Sequence, residues 1–158
     1  MEKKHIEHFF DNAGKIERYD IFNITLPMTL IHKKLFGLNE HLLKEKYGLI
    51  HSELDVLAAL YFNGKVLSPT DLYDSIVFSS GGMTKVLKKL QALNYISRVA
   101  CENDKRSTLV KLEPKGEKIL LACLDEIAEL RDKMFDFLST KEREELKRVL
   151  KKVALNLF

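Results

Sequence analysis

The 158-residue sequence is poor in cysteine and has no long apolar run. Its two cysteines, Cys101 and Cys123, make neither a disulfide framework nor a metal-type Cys-x-x-Cys pair. Such sparse thiol usage fits a reducing cytoplasm. No apolar stretch approaches the ~20 residues that cross a bilayer, so no membrane partner is expected. The opening run MEKKHIEHFFDNAGKIE has no apolar core and no small-residue cleavage site, so no secretory signal is expected either. There is no glycine-rich phosphate loop after a strand and no nucleophile elbow, which argues against an enzyme. His5 with His8, and His41 with Glu45, have helical metal-ligand spacing. Each pair offers two ligands where a zinc site takes four, so no metal or cofactor is expected. Internal repeats and low-complexity tracts are absent.

What is present is a globular composition, 46% hydrophobic and 31% charged, with a net charge of +3. That charge is unevenly placed. Residues 63–112 hold 8 Lys/Arg against 4 Asp/Glu, a net of +4, while the flanking segments come to −1 and zero. A basic middle third points to a polyanion.

Residues 79–112 concentrate the pattern. Met83, Val86, Leu87, Leu90 and Leu93 recur at helical spacing and form one apolar stripe. Thr84, Lys85, Lys88 and Gln91 fall on the opposite face. A hairpin pattern follows, with strands over 95–101 and 106–112 around a polar tip at 102–105. A basic helix followed at once by a basic hairpin is the plan of a winged helix. The helix enters a major groove, and the hairpin reaches the neighbouring backbone or minor groove.

The rest of the chain supports this core. A short helix is expected over 2–10, interrupted by Asp11, Asn12 and Gly14. A second runs over 16–46 with Pro27 inside it and a break or kink near Leu26. Met28, Ile31, Leu35, Leu38 and Leu42 give it a heptad-like seam. Gly48 ends it, and Ser52 caps a helix through Phe62. Asn63-Gly64 is a turn. Ser68-Pro69-Thr70-Asp71 is a strong helix start, and this short helix ends near Ile76, a short turn ahead of the basic helix, as in a helix-turn-helix. Asn94 closes the basic helix. Pro114 opens a long helix whose seam is Leu120, Cys123, Ile127, Leu130, Met134 and Phe137. Ser139 to Glu142 is a capping box for the last helix. The expected fold is mainly α with a small antiparallel β-wing, a winged helix-turn-helix core over 51–113. N-terminal helices over 1–50 and C-terminal helices over 114–158 flank it as a dimerisation layer. Their seams exceed what a 50-residue core can cover, which predicts a homodimer.

With these points in order, the chain resembles the MarR family of bacterial transcriptional regulators. The likeness is best over 52–116. It rests on Ser52-Glu-Leu-Asp-Val-Leu, on Leu67-Ser-Pro-Thr-Asp-Leu72, on the helix Ser80 to Leu90, and on Asn94-Tyr-Ile-Ser-Arg98. Its most specific part is Asp104-Lys-Arg106 with Leu109-Val-Lys-Leu112 and Lys115-Gly116. The chain departs from the family pattern at Asn94, Ala100 and Glu113, where glycine, proline and a hydroxyl residue are usual. The resemblance implies a sequence-specific DNA-binding transcriptional regulator, a repressor more than an activator. It also implies a small-molecule effector held between the wing domain and the helical layer.

On this reading the DNA-facing residues are Ser79, Ser80, Thr84, Lys85, Lys88 and Lys89 of the helix and Arg98, Asp104, Lys105 and Arg106 of the wing. Ser79 and Ser80 bond phosphate at the helix start. Thr84, Lys85 and Lys88 face the major groove, and Lys89 at the flank suits a phosphate. Arg106 suits a narrow minor groove. The resemblance implies that Asp104 holds it by a charge-assisted hydrogen bond, although a turn former at that position serves as well. Two alternatives stay open. One is a winged-helix module that binds protein instead of DNA. The other is a redox or metal sensor of the same fold working through Cys101 or the histidines. Arg106→Ala is expected to weaken binding to the partner duplex by ~1–3 kcal/mol with little loss of fold. Unchanged affinity in a titration at physiological salt would remove the wing from the interface.

Overall fold

Helix boundaries in this chain follow local stop and start chemistry. A computed structural model describes residues 2–13, 15–76, 82–100 and 108–157. Among them lie helices α1 (Lys3–Ala13), α2 (Phe22–Leu42), α3 (His51–Phe62), α4 (Pro69–Asp74), α5 (Met83–Ala92), α6 (Pro114–Met134) and α7 (Thr140–Leu157). The strands are β1 (Val66–Leu67), β2 (Ile96–Ala100) and β3 (Thr108–Leu112). The chain divides into two compact units, Met1–Ser52 and Glu53–Phe158.

In the first unit three sequence expectations are corrected. α1 runs through Asp11 and Asn12 to Ala13. Asn12 tolerates the last turn because its side-chain amide donates back to the His8 carbonyl at 2.8 Å. α2 passes through Pro27 without the expected break. The proline removes the bond an N–H at that position would make to the Asn23 carbonyl, and the helix continues without it. The chain just upstream is wound as tight 3-10 turns, Asn23 N–H to Asp20 and Ile24 N–H to Ile21, which places the strain close to a helix end. A π-turn over Leu43–Tyr47 extends α2, and Gly48 ends it at φ +63° as its type allows. His51 stacks on Phe36, ring centroids 4.0 Å apart, and its Nε2 lies 3.0 Å from the Phe36 carbonyl. α3 starts at His51, so Ser52 lies inside the first turn and is not its cap.

The second unit is built on a three-stranded antiparallel sheet in the order β1-β3-β2. Register pairs Ile96 with Leu112, Arg98 with Val110, and Val66 with Lys111. β1 was not foreseen, because two residues carry no alternation. Asn63, Gly64 and Lys65 make the turn before it, with Gly64 at φ +89° and Lys65 at φ +70°. Ser68 caps α4 as expected, its Oγ accepting from the Asp71 N–H at 3.0 Å. The buried apolar side chains come from every core element: Leu57 and Leu60 of α3, Leu72 of α4, Leu87 and Leu90 of α5, Ile96, Val110 and Leu112 of the sheet, and Leu120 and Ile127 of α6. α6 has no side-chain cap, as Glu113 in place of a hydroxyl residue predicts; the Glu113 carboxylate instead accepts from the Ser97 hydroxyl. Phe137 falls beyond the end of α6 and is 79% exposed, so it does not belong to that helix's seam. The capping box before α7 forms in both directions, Ser139 N–H to Glu142 Oε2 at 2.8 Å and Glu142 N–H to Ser139 Oγ at 3.4 Å. The Ser139 hydroxyl and N–H hold the Glu142 carboxyl below its ordinary value.

Gly116 explains why the Lys-Gly pair follows the wing. A Cβ there would lie 2.2 Å from the Tyr95 carbonyl oxygen, so α6 can approach the exit of α5 only through a hydrogen. In an ordinary helix Gly→Ala stabilises by up to ~1 kcal/mol. At this position the sign inverts, and Gly116→Ala is expected to cost ~1–3 kcal/mol or more from overpacking against backbone. Urea unfolding of the two proteins checks this; an equal or higher midpoint for the alanine variant would refute the close approach.

Candidate nucleic-acid interface

α5 places the basic face. Its buried residues are Val86, Leu87 and Leu90, with Met83 and Leu93 half-buried, so the apolar stripe faces inward as its spacing predicts. The 100° step of the helix then turns Thr84, Lys85, Lys88 and Gln91 to water, and all four are exposed. Among the described residues, no ion pair or hydrogen bond engages the Lys85 or Lys88 side chain. The helix begins at Gly82, which takes a left-handed φ of +77°, and has no side-chain cap.

Lys89 lies at the flank of this face, as its spacing suggests, and is exposed. Its Nζ lies 2.8 Å from Oε2 of Glu53, whose side chain is 3% exposed. The third lysine of the helix therefore meets the first turn of α3.

Arg98 is exposed on β2. Together with Thr84 it lines a shallow groove of about 380 Å³, beside Pro69, Thr70 and Tyr73 of α4 and Leu87. Two residues from separate elements are thus brought to one surface. Thr70 and Tyr73 are site neighbours that sequence reasoning missed. The signal for Thr70 was its place just after the Ser68-Pro69 helix start, which puts it on the outer side of the first helix of the pair.

The exit from α5 is closely held. Asn94 ends the helix at φ +59°, in the left-handed region expected of it. Lys115 reaches back to donate to the Leu93 carbonyl at 3.0 Å, and its ammonium lies 5.3 Å from the centroid of the Tyr95 ring. These contacts fix where the first wing strand starts relative to the basic helix.

Ser79 and Ser80 before the helix, and Asp104, Lys105, Arg106 and Cys101 in the wing, lie outside the described residues. Cys123 is buried, and burial, reinforced by the charge of Glu126, pushes its thiol up to about 11. Among the described residues no group of three or more His, Cys, Asp or Glu is placed to hold a metal, and no helix is long and apolar enough to cross a membrane.

A helix pair, a basic second helix and a sheet-based wing define a winged helix-turn-helix protein. The comparisons with known proteins agree. A family model described as MarR family matches residues 47–107. The chain is 34% identical over 123 residues to the HTH-type transcriptional regulator MhqR of Bacillus subtilis, covering 76% of this chain and 83% of that protein. It is 32% identical over 149 residues to the multiple antibiotic resistance protein MarR of Escherichia coli, covering 85% and 95% respectively. A mutant of that MarR, solved in complex with operator DNA, superposes with a TM-score of 0.63 at 25% identity, over 85% of this chain and 98% of that one. The chain belongs to the MarR family of transcriptional regulators.

A thiol with a pKa near 11 is almost wholly protonated at neutral pH. In a Cys101→Ser background, Cys123 is expected to react with a thiol reagent at pH 8 only after unfolding. Its raised pKa also fixes a sign: the protonated core thiol contributes stability in full below pH ~9, lost as pH rises towards 11. Rapid labelling of the native protein would contradict both statements.

Proposed function

We propose that this regulator binds duplex DNA as a homodimer and represses transcription until a small-molecule effector releases it. The observation that carries the reading is the orientation of α5. Burial of Val86, Leu87 and Leu90 leaves Thr84, Lys85 and Lys88 as an outward basic row, with Arg98 of the wing strand next to Thr84 in the same groove. Thr84, Lys85 and Lys88 read the major groove or its phosphates, and Arg98 with Lys105 holds the adjoining backbone. Ser79 and Ser80 bond phosphate ahead of the helix, and Arg106, steadied by Asp104, enters the minor groove. The relative solved with operator DNA supports this use of the fold.

Support for two copies comes from the terminal helices. α1 and α7 bury no residue within the chain, and α2 buries only Asn39. Phe9, Ile24 and Ile31 of the first unit, and Leu146, Val149 and Leu150 of α7, stay exposed. Apolar faces of that extent suit helices that pair with another chain. Segments 1–50 and 114–158 then form the dimer layer and 51–113 the DNA-binding core. A twofold axis places the two α5 helices about 34 Å apart, one turn of B-DNA. An effector bound between the layers shifts the population towards a spacing that fits the operator less well. The working compartment is the cytoplasm, where the DNA is.

Titration of duplex DNA against salt tests the reading together with the rival of a protein-binding module. Log affinity is expected to fall steeply with log salt, by about 0.9 per phosphate neutralised. Lys85→Ala and Lys88→Ala are each expected to weaken binding, and whichever contacts phosphate lowers that slope by ~1. Sedimentation is expected to give a dimer. Weak binding independent of salt would favour the protein-binding module.

A further inference from the structure

We infer that Glu53 is a positioning residue for the basic helix, and that Lys89 serves this tether rather than a DNA phosphate. The inference rests on the DNA-binding reading of α5 and deepens it. α5 carries three lysines, and they are not equivalent. Lys85 and Lys88 stand three residues apart on one face and meet no partner among the described residues. Lys89 is one 100° step further round, at the edge of the packed side, with its Nζ 2.8 Å from Glu53 Oε2. The two ends of this contact differ in setting: the Lys89 side chain is 43% exposed and the Glu53 side chain 3%. A carboxylate so far from water must be met by a cation or by donors, and Lys89 supplies that charge.

The rest of α5 shows why its rotation needs fixing. Its first turn has no side-chain cap and starts from a left-handed glycine. Its inward contacts through Val86, Leu87 and Leu90 are apolar and therefore non-directional. A rotation of about 20° moves a group at a radius of about 5–6 Å by about 2 Å. That is enough to lose a hydrogen bond to a base edge, while a lysine still feels the phosphate charge. A charged, short, directional contact in the last turn opposes this rotation. The pair therefore sets discrimination between sequences more than total affinity.

The test uses the full chain, a duplex recovered from a random pool by the wild-type protein, and an unrelated duplex of the same length. Affinity for both is measured across salt for wild type, Glu53→Gln, Lys89→Met, the double variant and Lys89→Arg, with thermal midpoints alongside. Glu53→Gln and Lys89→Met are expected to cut the ratio of selected to unrelated affinity by roughly tenfold, with the salt slope unchanged. The double variant, which leaves no unpaired buried charge, is expected to do no worse than either single one, and Lys89→Arg to keep the wild-type ratio. A slope lowered by about 0.9 in Lys89→Met, with both duplexes weakened alike, would make Lys89 a phosphate contact and overturn the inference. So would variants with lower thermal midpoints but a wild-type ratio. Failure of the underlying reading looks different: the wild-type protein itself would show no salt-dependent binding to either duplex.

Discussion

The burial of three side chains, Val86, Leu87 and Leu90, sets what the second unit can present. Once that stripe is packed inward, helical geometry puts Thr84, Lys85 and Lys88 on the outward side of α5. The sheet and α6 then act on the same helix from its far end. Asn94 stops it, Lys115 takes the Leu93 carbonyl, and Gly116 lets α6 close on Tyr95. The basic face is thus a by-product of core packing, and changes in the core register are changes in the surface.

Two kinds of interaction hold this arrangement, and they do different work. Apolar burial gives most of the stability but little orientation. The polar contacts include Ser68 with Asp71, Ser97 with Glu113, Lys65 with Glu117 at 2.8 Å, and Lys89 with Glu53. Lys65 with Glu117 and Ser97 with Glu113 are exposed or half-buried and contribute little free energy. Their value lies in fixing register where strands and helices meet. Glu53 differs, because its carboxylate has been taken out of water.

Much of this was legible in the residues, and the exceptions have identifiable causes. The α5 stripe, the Ser68 cap, the Asn94 stop and the Ser139 box were readable because each is a local rule with a local signature. Pro27 misled as to a break, because the loss of one backbone bond does not interrupt a helix of twenty-one residues. Ser52 misled because the helix starts two residues earlier, at His51, whose ring stacks on Phe36 fifteen residues away. The Lys89 to Glu53 contact spans 36 residues, and no spacing rule reaches that far. The groove that joins Thr84 to Arg98 with Thr70 and Tyr73 was hidden for the same reason, since it exists only after three elements have packed.

None of the eighteen residues of α7 is fully buried within one chain. On the dimer reading, such a segment is governed by mass action as much as by its own composition. Its order then depends on how many copies share the same volume. Abundance becomes part of the regulatory chemistry: a cell that halves the supply of this chain loses more than half of its paired form whenever the supply is near the dissociation constant.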